Sequence, residues 1–253
     1  MGDVLTSTEG LVGIAEINRP PDNYFDTPLI HEIAAAFDGF VAAGMRSVLL
    51  CAAGRNFCAG ANFGRALDDE GRRRDTNELY REAVRLFRCP IPIVAAVQGA
   101  AIGGGLGLSL VGDFRVASPE ARFAANFARL GFHCGFGLSV TLPRAIGEQR
   151  VALLFYTGRR IKGDEAREMG LVDVLAPAAE LRQAALGLAT EIAQSSPIAV
   201  QSMRATLRRG LADRIAAATE HELSEQMKQF ASEDFHEGVK AMAERRLPDF
   251  AGR

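Results

Sequence analysis

Residues 97–110 read VQGAAIGGGLGLSL. Three consecutive glycines, Gly103 to Gly105, and a fourth at Gly107 separate one apolar run from the start of another. Inside a helix or strand a glycine costs about 0.5–1 kcal/mol relative to alanine. Four at one junction therefore mark a place where side chains must be absent. The nucleotide-binding patterns fail on spacing: a G-x-G-x-x-G run starting at Gly103 needs glycine where Leu108 stands. A P-loop needs Lys and Ser/Thr after its last glycine, whereas Gly104 is followed by Gly105 and Leu106. A nucleophile elbow centred on Ser109 lacks its final glycine, because Val111 occupies that position. What is left is a strand feeding a helix whose first turn is bare. N–H groups there point outward and the helix dipole favours negative charge. A carbonyl oxygen turning into an oxyanion would be stabilised by such an N–H. A second donor has a candidate in RNFCAGAN (55–62), where Ala59, Gly60 and Ala61 leave the backbone approachable. The glycines alone fit equally well a helix packed tightly on a sheet.

Outward from this junction the chain alternates. GLVGIAEIN (10–18) reads as a strand, and TPLIHEIAAAFDGFVAA (27–43) as an amphipathic helix with Pro28 just inside its start. SVLLCAA (47–53) is a short apolar strand ended by the loop GRNFCAGANFG. A polar stretch with Arg72 to Arg74 leads into the helix NELYREAVRLFR (77–88), and PIVAAVQG (92–99) is a buried strand. DFRVAS with ARFAAN (113–126) reads as a further strand pair. Strands alternating with helices predict an α/β fold with parallel, buried β-structure. The segments beyond Pro177 are helical in pattern, which divides the chain into a β/α core over 1–195 and a helical section over 196–253.

Composition sets the outer limits. The 253 residues are 48% hydrophobic and 24% charged, enough for one sizeable core. A net charge of −2 argues against nucleic acid or an anionic membrane as the main partner. There is no 18-residue apolar run and no signal-peptide layout. Cys51, Cys58, Cys89 and Cys134 form no CxxC pair and have no histidine at zinc spacing, so reduced thiols in a cytoplasmic protein without a metal are expected.

Taken together and in order, FCAGANF (57–63), VQGAAIGGGLGLSL, DFRVAS and ARF closely resemble the crotonase (enoyl-CoA hydratase/isomerase) superfamily. The resemblance continues through LPRAIG (142–147), ALLFYTGRRIKGDEAREMGLVDVL (152–175) and SEDFHEGVKAMAERRLPDF (232–250). It implies a crotonase-like spiral of ββα turns with a C-terminal helical trimerisation section, assembled as a homotrimer or a dimer of trimers. It also implies a coenzyme A thioester as substrate, with no separate cofactor. By this resemblance the two oxyanion-hole N–H groups fall on Ala61 and Gly104. Cys58, Ala59, Asn62 and Phe63 would border the CoA path, with Asn62 replacing the usual aspartate, and Phe250 would contact the substrate.

The acids of the family are missing. A hydratase of this kind uses two glutamates, whose positions fall on Gly107 and Phe127, and a third acidic position used by some relatives falls on Gly135. Neither glycine nor phenylalanine transfers a proton, so two-carboxylate hydration is not expected. Phe127 reads as an apolar wall of the acyl pocket. His133 in GFHCGFG is the nearest candidate acid/base, its alternative being a structural histidine under a glycine-rich loop. Cys134 is a weaker candidate, as a thiol without a fixed base is usually inert. His31 and His221 read as helix-surface residues, His236 as a contact for CoA phosphates or a surface residue, and Arg72 to Arg74 as a solvated face. Three functions stay open: an acyl-CoA enzyme with enolate chemistry, a non-catalytic acyl-CoA binder, and a structural paralogue.

Overall fold

The run Ser47–Ala52 is buried along its length, and its alternate residues face two different cores. Val48 and Leu50 join the main core, while Leu49 and Cys51 join a second one on the opposite face. A strand of this kind needs neighbours on both edges and cover on both sides. The computed structural model describes residues 2–61 and 69–253 and shows how both needs are met.

In chain order the elements are β1 (Val4–Glu9), β2 (Val12–Ile17), α1 (Thr27–Ala42), β3 (Ser47–Ala52), α2 (Asp69–Phe87), β4 (Ile93–Val97), β5 (Ala100–Ile102) and α3 (Gly104–Ser109). There follow β6 (Phe114–Ala117), β7 (Arg122–Ala124), a 3₁₀ turn (Asn126–Leu130), α4 (Leu138–Ile146), α5 (Glu148–Thr157), β8 (Arg160–Lys162), α6 (Gly163–Met169) and β9 (Val174–Leu175). The chain closes with α7 (Leu181–Gln194), α8 (Pro197–Leu207), α9 (Leu211–Gln229) and α10 (Glu233–Ala243).

The strands form a six-stranded sheet in the order β1-β2-β3-β4-β6-β9 and a three-stranded sheet in the order β5-β7-β8. From β2 to β9 the large sheet is parallel; only the β1–β2 hairpin is antiparallel. Successive turns of the chain give one strand to each sheet: β4 then β5, β6 then β7. This corrects the expectation that DFRVAS and ARFAAN pair with each other. β6 hydrogen-bonds β4 and β9, whereas β7 hydrogen-bonds β5 and β8. The expected first strand has a partner in the preceding residues Val4–Glu9, whose mostly exposed side chains hide the apolar signal.

Helix α1 starts where the sequence signals it. Asp26 caps it by accepting from the Leu29 N–H at 3.0 Å, with Pro28 in the first turn. Its Leu29, Ile30, Ile33 and Phe37 enter the main core. Helix α7 seals the other face of the large sheet, laying Leu181, Ala185, Leu186 and Ala189 over Val12, Leu49, Val94 and Val116. Helix α2 begins well before the predicted NELYREAVRLFR, so Arg72 to Arg74 lie within a helix; Arg73 and Arg74 are exposed. No helix among the described residues is long and apolar enough to cross a membrane.

Candidate active-site cleft

The glycine run sits where β5 ends and α3 begins. Gly103 adopts φ +56°, a conformation that favours glycine, and its N–H donates to the Ala124 carbonyl at 2.8 Å. Gly103 O in turn accepts from the N–H groups of Leu106 and Gly107. A Cβ at Gly104 would collide with the Phe25 ring, and one at Gly105 with the Cys58 carbonyl. The absence of side chains therefore answers a close approach of two other segments.

One of those segments is the loop Phe57–Ala61. Cys58 N–H donates to Ala100 O at 2.8 Å and Ile102 N–H to Cys58 O at 3.1 Å, so the loop runs beside β5 as a short parallel bridge. Phe25 N–H then donates to Gly60 O at 3.0 Å, which bridges Phe25 to Ala61. Ala61 and Gly104 come to line the same cleft, of about 760 Å³. The N–H groups of both residues have no acceptor among the described residues.

The cleft is polar at its exposed end and aromatic within. At the outer end stand Arg55, Arg122 and Arg160, with Asp22 as the one carboxylate among the described lining residues. Asp22 is tied down: Arg55 pairs with it at 3.3 Å and Asn56 Nδ2 donates to it at 2.8 Å. The inner wall is made by Phe25, Phe127, Phe132, Phe136 and Phe230. Their edge-on and tilted contacts run from Phe25 to Phe136 at 5.6 Å and from Phe127 through Phe132 to Phe230 at 5.4 and 5.2 Å. Tyr24 and Tyr80 also line the cleft.

The positions where the resemblance places acids are all filled by something else. Phe127 is 8% exposed and forms part of the wall. A Cβ at Gly107 would come within 2.8 Å of Phe136 Cδ1, so the Phe136 ring covers the place of the first glutamate. Phe136 itself holds φ +63°, a left-handed backbone that is an outlier for a bulky residue. At Gly135 a Cβ would collide with the Tyr80 hydroxyl and lie 2.6 Å from Gln226 Nε2. Gln226 Nε2 donates to the carbonyls of His133 and Cys134, leaving its Oε1 to accept from the Tyr80 hydroxyl at 2.9 Å. Burial beside the Glu222 carboxylate pushes the Tyr80 phenol above its usual range.

Several expected site residues stand elsewhere. His133 does not line the cleft. Its Nδ1 lies 2.8 Å from Cys134 O, and its ring meets His221 edge-on at 5.8 Å. Its backbone N–H donates to Gln229 Oε1 at 2.6 Å, which holds this turn against α9. Cys134 is also outside the lining, its thiol pushed up by burial near Glu222. That carboxylate accepts from the N–H groups of Gly137 and Ser139 and from the Ser139 hydroxyl, and so caps α4. Cys58 is a core residue whose thiol is pushed up to about 12 by burial; the neighbouring Ala59 does line the cleft. Phe250 is 39% exposed and away from the cleft, because the tail is fastened to α10: Asp249 N–H donates to Glu237 and Ala251 N–H to Asp234. His236 is exposed and His31 pairs with Glu82 on the surface. Asn62 and Phe63 lie outside the described residues. No cluster of metal-binding side chains occurs among the described residues. The residues that sequence reasoning missed, Phe25, Tyr80, Phe136 and Gln226, come from four separated segments and share no local pattern.

A two-sheet spiral of ββα turns closed by C-terminal helices defines a crotonase-type α/β protein. Comparison with known proteins gives the family. The family model for enoyl-CoA hydratase/isomerase matches residues 7–253. A probable enoyl-CoA hydratase of Bacillus subtilis is 30% identical across the whole of both chains. A putative enoyl-CoA hydratase of Thermus thermophilus is 33% identical over 96% of this chain and 98% of its own. The crystal structure of an enoyl-CoA hydratase/isomerase from Pseudoalteromonas atlantica superposes with a TM-score of 0.87 at 29% identity, covering 99% of this chain and all of the other. This chain belongs to the enoyl-CoA hydratase/isomerase family.

Proposed function

We propose that the cleft binds an acyl-CoA thioester and stabilises its carbonyl oxygen, as an oxyanion or enolate, between the N–H groups of Ala61 and Gly104. The observation that carries this reading is that both donors lack acceptors among the described residues and line one cleft. The three guanidiniums at the outer end complement the phosphates of CoA, and the aromatic wall suits an apolar acyl chain. Addition of water by two carboxylates is not part of the proposal, since Gly107, Phe127 and Gly135 offer none and their spaces are taken by rings and by Tyr80.

Isothermal titration calorimetry tests it. Crotonyl-CoA, acetyl-CoA and octanoyl-CoA are expected to bind at micromolar affinity or tighter, each tighter than free CoA. Absence of heat with all three overturns the reading. In the same preparation, hydration of crotonyl-CoA is expected several orders of magnitude below that of a two-glutamate enzyme, because each acid or base contributes about 10²–10⁴-fold.

A second reading, binding without turnover, is favoured by one observation. Asp22, the one carboxylate among the described lining residues, is held by Arg55 and Asn56, and His133 faces α9. Exchange of the α-protons of acetyl-CoA with deuterated water, followed by NMR, separates the two: exchange marks enolate chemistry, and its absence with intact binding marks a carrier.

A further inference from the structure

A second cavity, of about 170 Å³, lies between the start of β6, α4 and the end of α8 and shares no described lining residue with the acyl cleft. Arg115, Arg144, Arg208, Asp113 and Thr141 contribute to its wall. The carboxylates here are already engaged. Asp113 accepts from Arg208 Nη1 at 2.6 Å, from Arg204 Nε at 2.9 Å and from the Ile93 N–H at 2.9 Å. Asp173 accepts from the Arg115 side chain at 3.0 Å and from its N–H at 2.7 Å. Counting Arg204 and Asp173, which pair with Asp113 and Arg115 just outside the cavity wall, four guanidiniums are grouped with two carboxylates, an excess of two positive charges. Arg115, Arg204 and Arg208 are each only 8–11% exposed in their side chains, so water screens that excess weakly. Arg204 Nη2 and Arg208 Nε are buried with no acceptor among the described residues. Buried donors are normally paired.

We propose that this cavity is a site for a small tetrahedral oxyanion of the phosphate class, held chiefly by Arg208 and Arg144. At about 30 Å³ for each water of liquid volume, the cavity has room for such an ion with part of its hydration shell. Arg144 sits at its exposed edge and already reaches the Leu207 carbonyl at 3.0 Å, which places its guanidinium at the end of α8 beside Arg208. Guanidiniums match the edge of a tetrahedral oxyanion with paired N–H donors. Binding there would neutralise the excess charge and tie α8 to α4 and β6.

The test is thermal unfolding and calorimetry of the full chain titrated with inorganic phosphate, with sodium chloride at matched ionic strength as the control. Phosphate is expected to raise the unfolding temperature saturably at one site per chain, and chloride is not. Arg144→Met, at an exposed position, and Arg208→Lys, which keeps the charge but removes Nε, are each expected to weaken phosphate about tenfold or more, as loss of a charge-assisted contact does. The phosphate effect is expected to persist with the acyl cleft saturated by CoA. No saturable effect, an effect unchanged in both variants, or displacement of phosphate by CoA each overturns the proposal.

Discussion

A methyl group at residue 104 would strike the Phe25 ring, and Phe25 in turn leans on Phe136. The smallest possible substitution, Gly104→Ala, therefore pushes on the aromatic wall as well as on one proposed donor. It is expected to destabilise the fold by about 1–3 kcal/mol, as overpacking does, measured by urea denaturation, and to weaken thioester binding in the same calorimetric series. The acid positions behave differently. Gly107→Glu with Phe127→Glu supplies both carboxylates, but the first has no room while Phe136 covers it. The double variant is expected to hydrate crotonyl-CoA no faster than the parent. Adding Phe136→Gly removes the ring and also suits the left-handed backbone at φ +63°. Steady-state assays should show the triple variant faster than the double; equal rates would place the obstacle elsewhere.

At the scale of elements, the C-terminal segment shows how a tail is kept in place by charge. Glu237 on α10 accepts from Arg246 and from the Asp249 N–H, and these contacts hold its carboxyl down at about 2. A carboxylate depressed in the folded state stabilises above its ordinary value near 4.5 and loses that contribution as pH falls toward 2. Fastening of residues 246–250 is therefore expected to be complete at pH 7 and to fade between about 4.5 and 2. The protection of the Asp249 amide against hydrogen exchange, taken relative to its intrinsic rate at each pH, measures this, and Glu237→Gln should lose at pH 7 the protection the parent loses only in acid. The elements also show where sequence reading reaches its limit. Helix α1 announces itself through Pro28 and its apolar spacing, and β3 through an unbroken apolar run. Strand β1 does not, because its side chains are mostly exposed and its hydrogen bonds to β2 come from the backbone. The separation of β6 and β7 into two sheets leaves no mark in either segment, since each is only a few apolar residues long.

For the whole molecule, the site divides along the same line. The bare turn after β5 is legible because its requirement is for missing side chains, which the run of glycines records directly, whereas the pairing of Ala61 with Gly104 as donors comes from the family resemblance and stands as the proposal. Beyond Phe127, the wall of the cleft is not legible, because it is assembled from distant residues: Phe25 before α1, Tyr80 on α2, Phe136 in the turn before α4 and Gln226 on α9. His133 stands within a few residues of the expected acid position, yet the turn that carries it is fixed to α9 through Gln229 and Gln226. Nearness along the chain predicts little when a neighbouring helix sets the orientation.

That two tyrosines line the cleft gives the molecule an optical property. The chain contains no tryptophan and three tyrosines, so its near-ultraviolet emission comes from Tyr24, Tyr80 and Tyr156 alone. Tyr156 is 82% exposed and stands outside the cleft, whereas Tyr24 and Tyr80 are part of its wall. Intrinsic fluorescence is thus weighted toward the place where the thioester is expected, and no label is needed to watch it arrive. Filling the cleft with a CoA thioester should change the emission saturably, and Tyr156→Phe should lower the baseline while leaving that change intact. A spectrum that responds only through Tyr156 would mean that the ligand had settled on the outer surface instead.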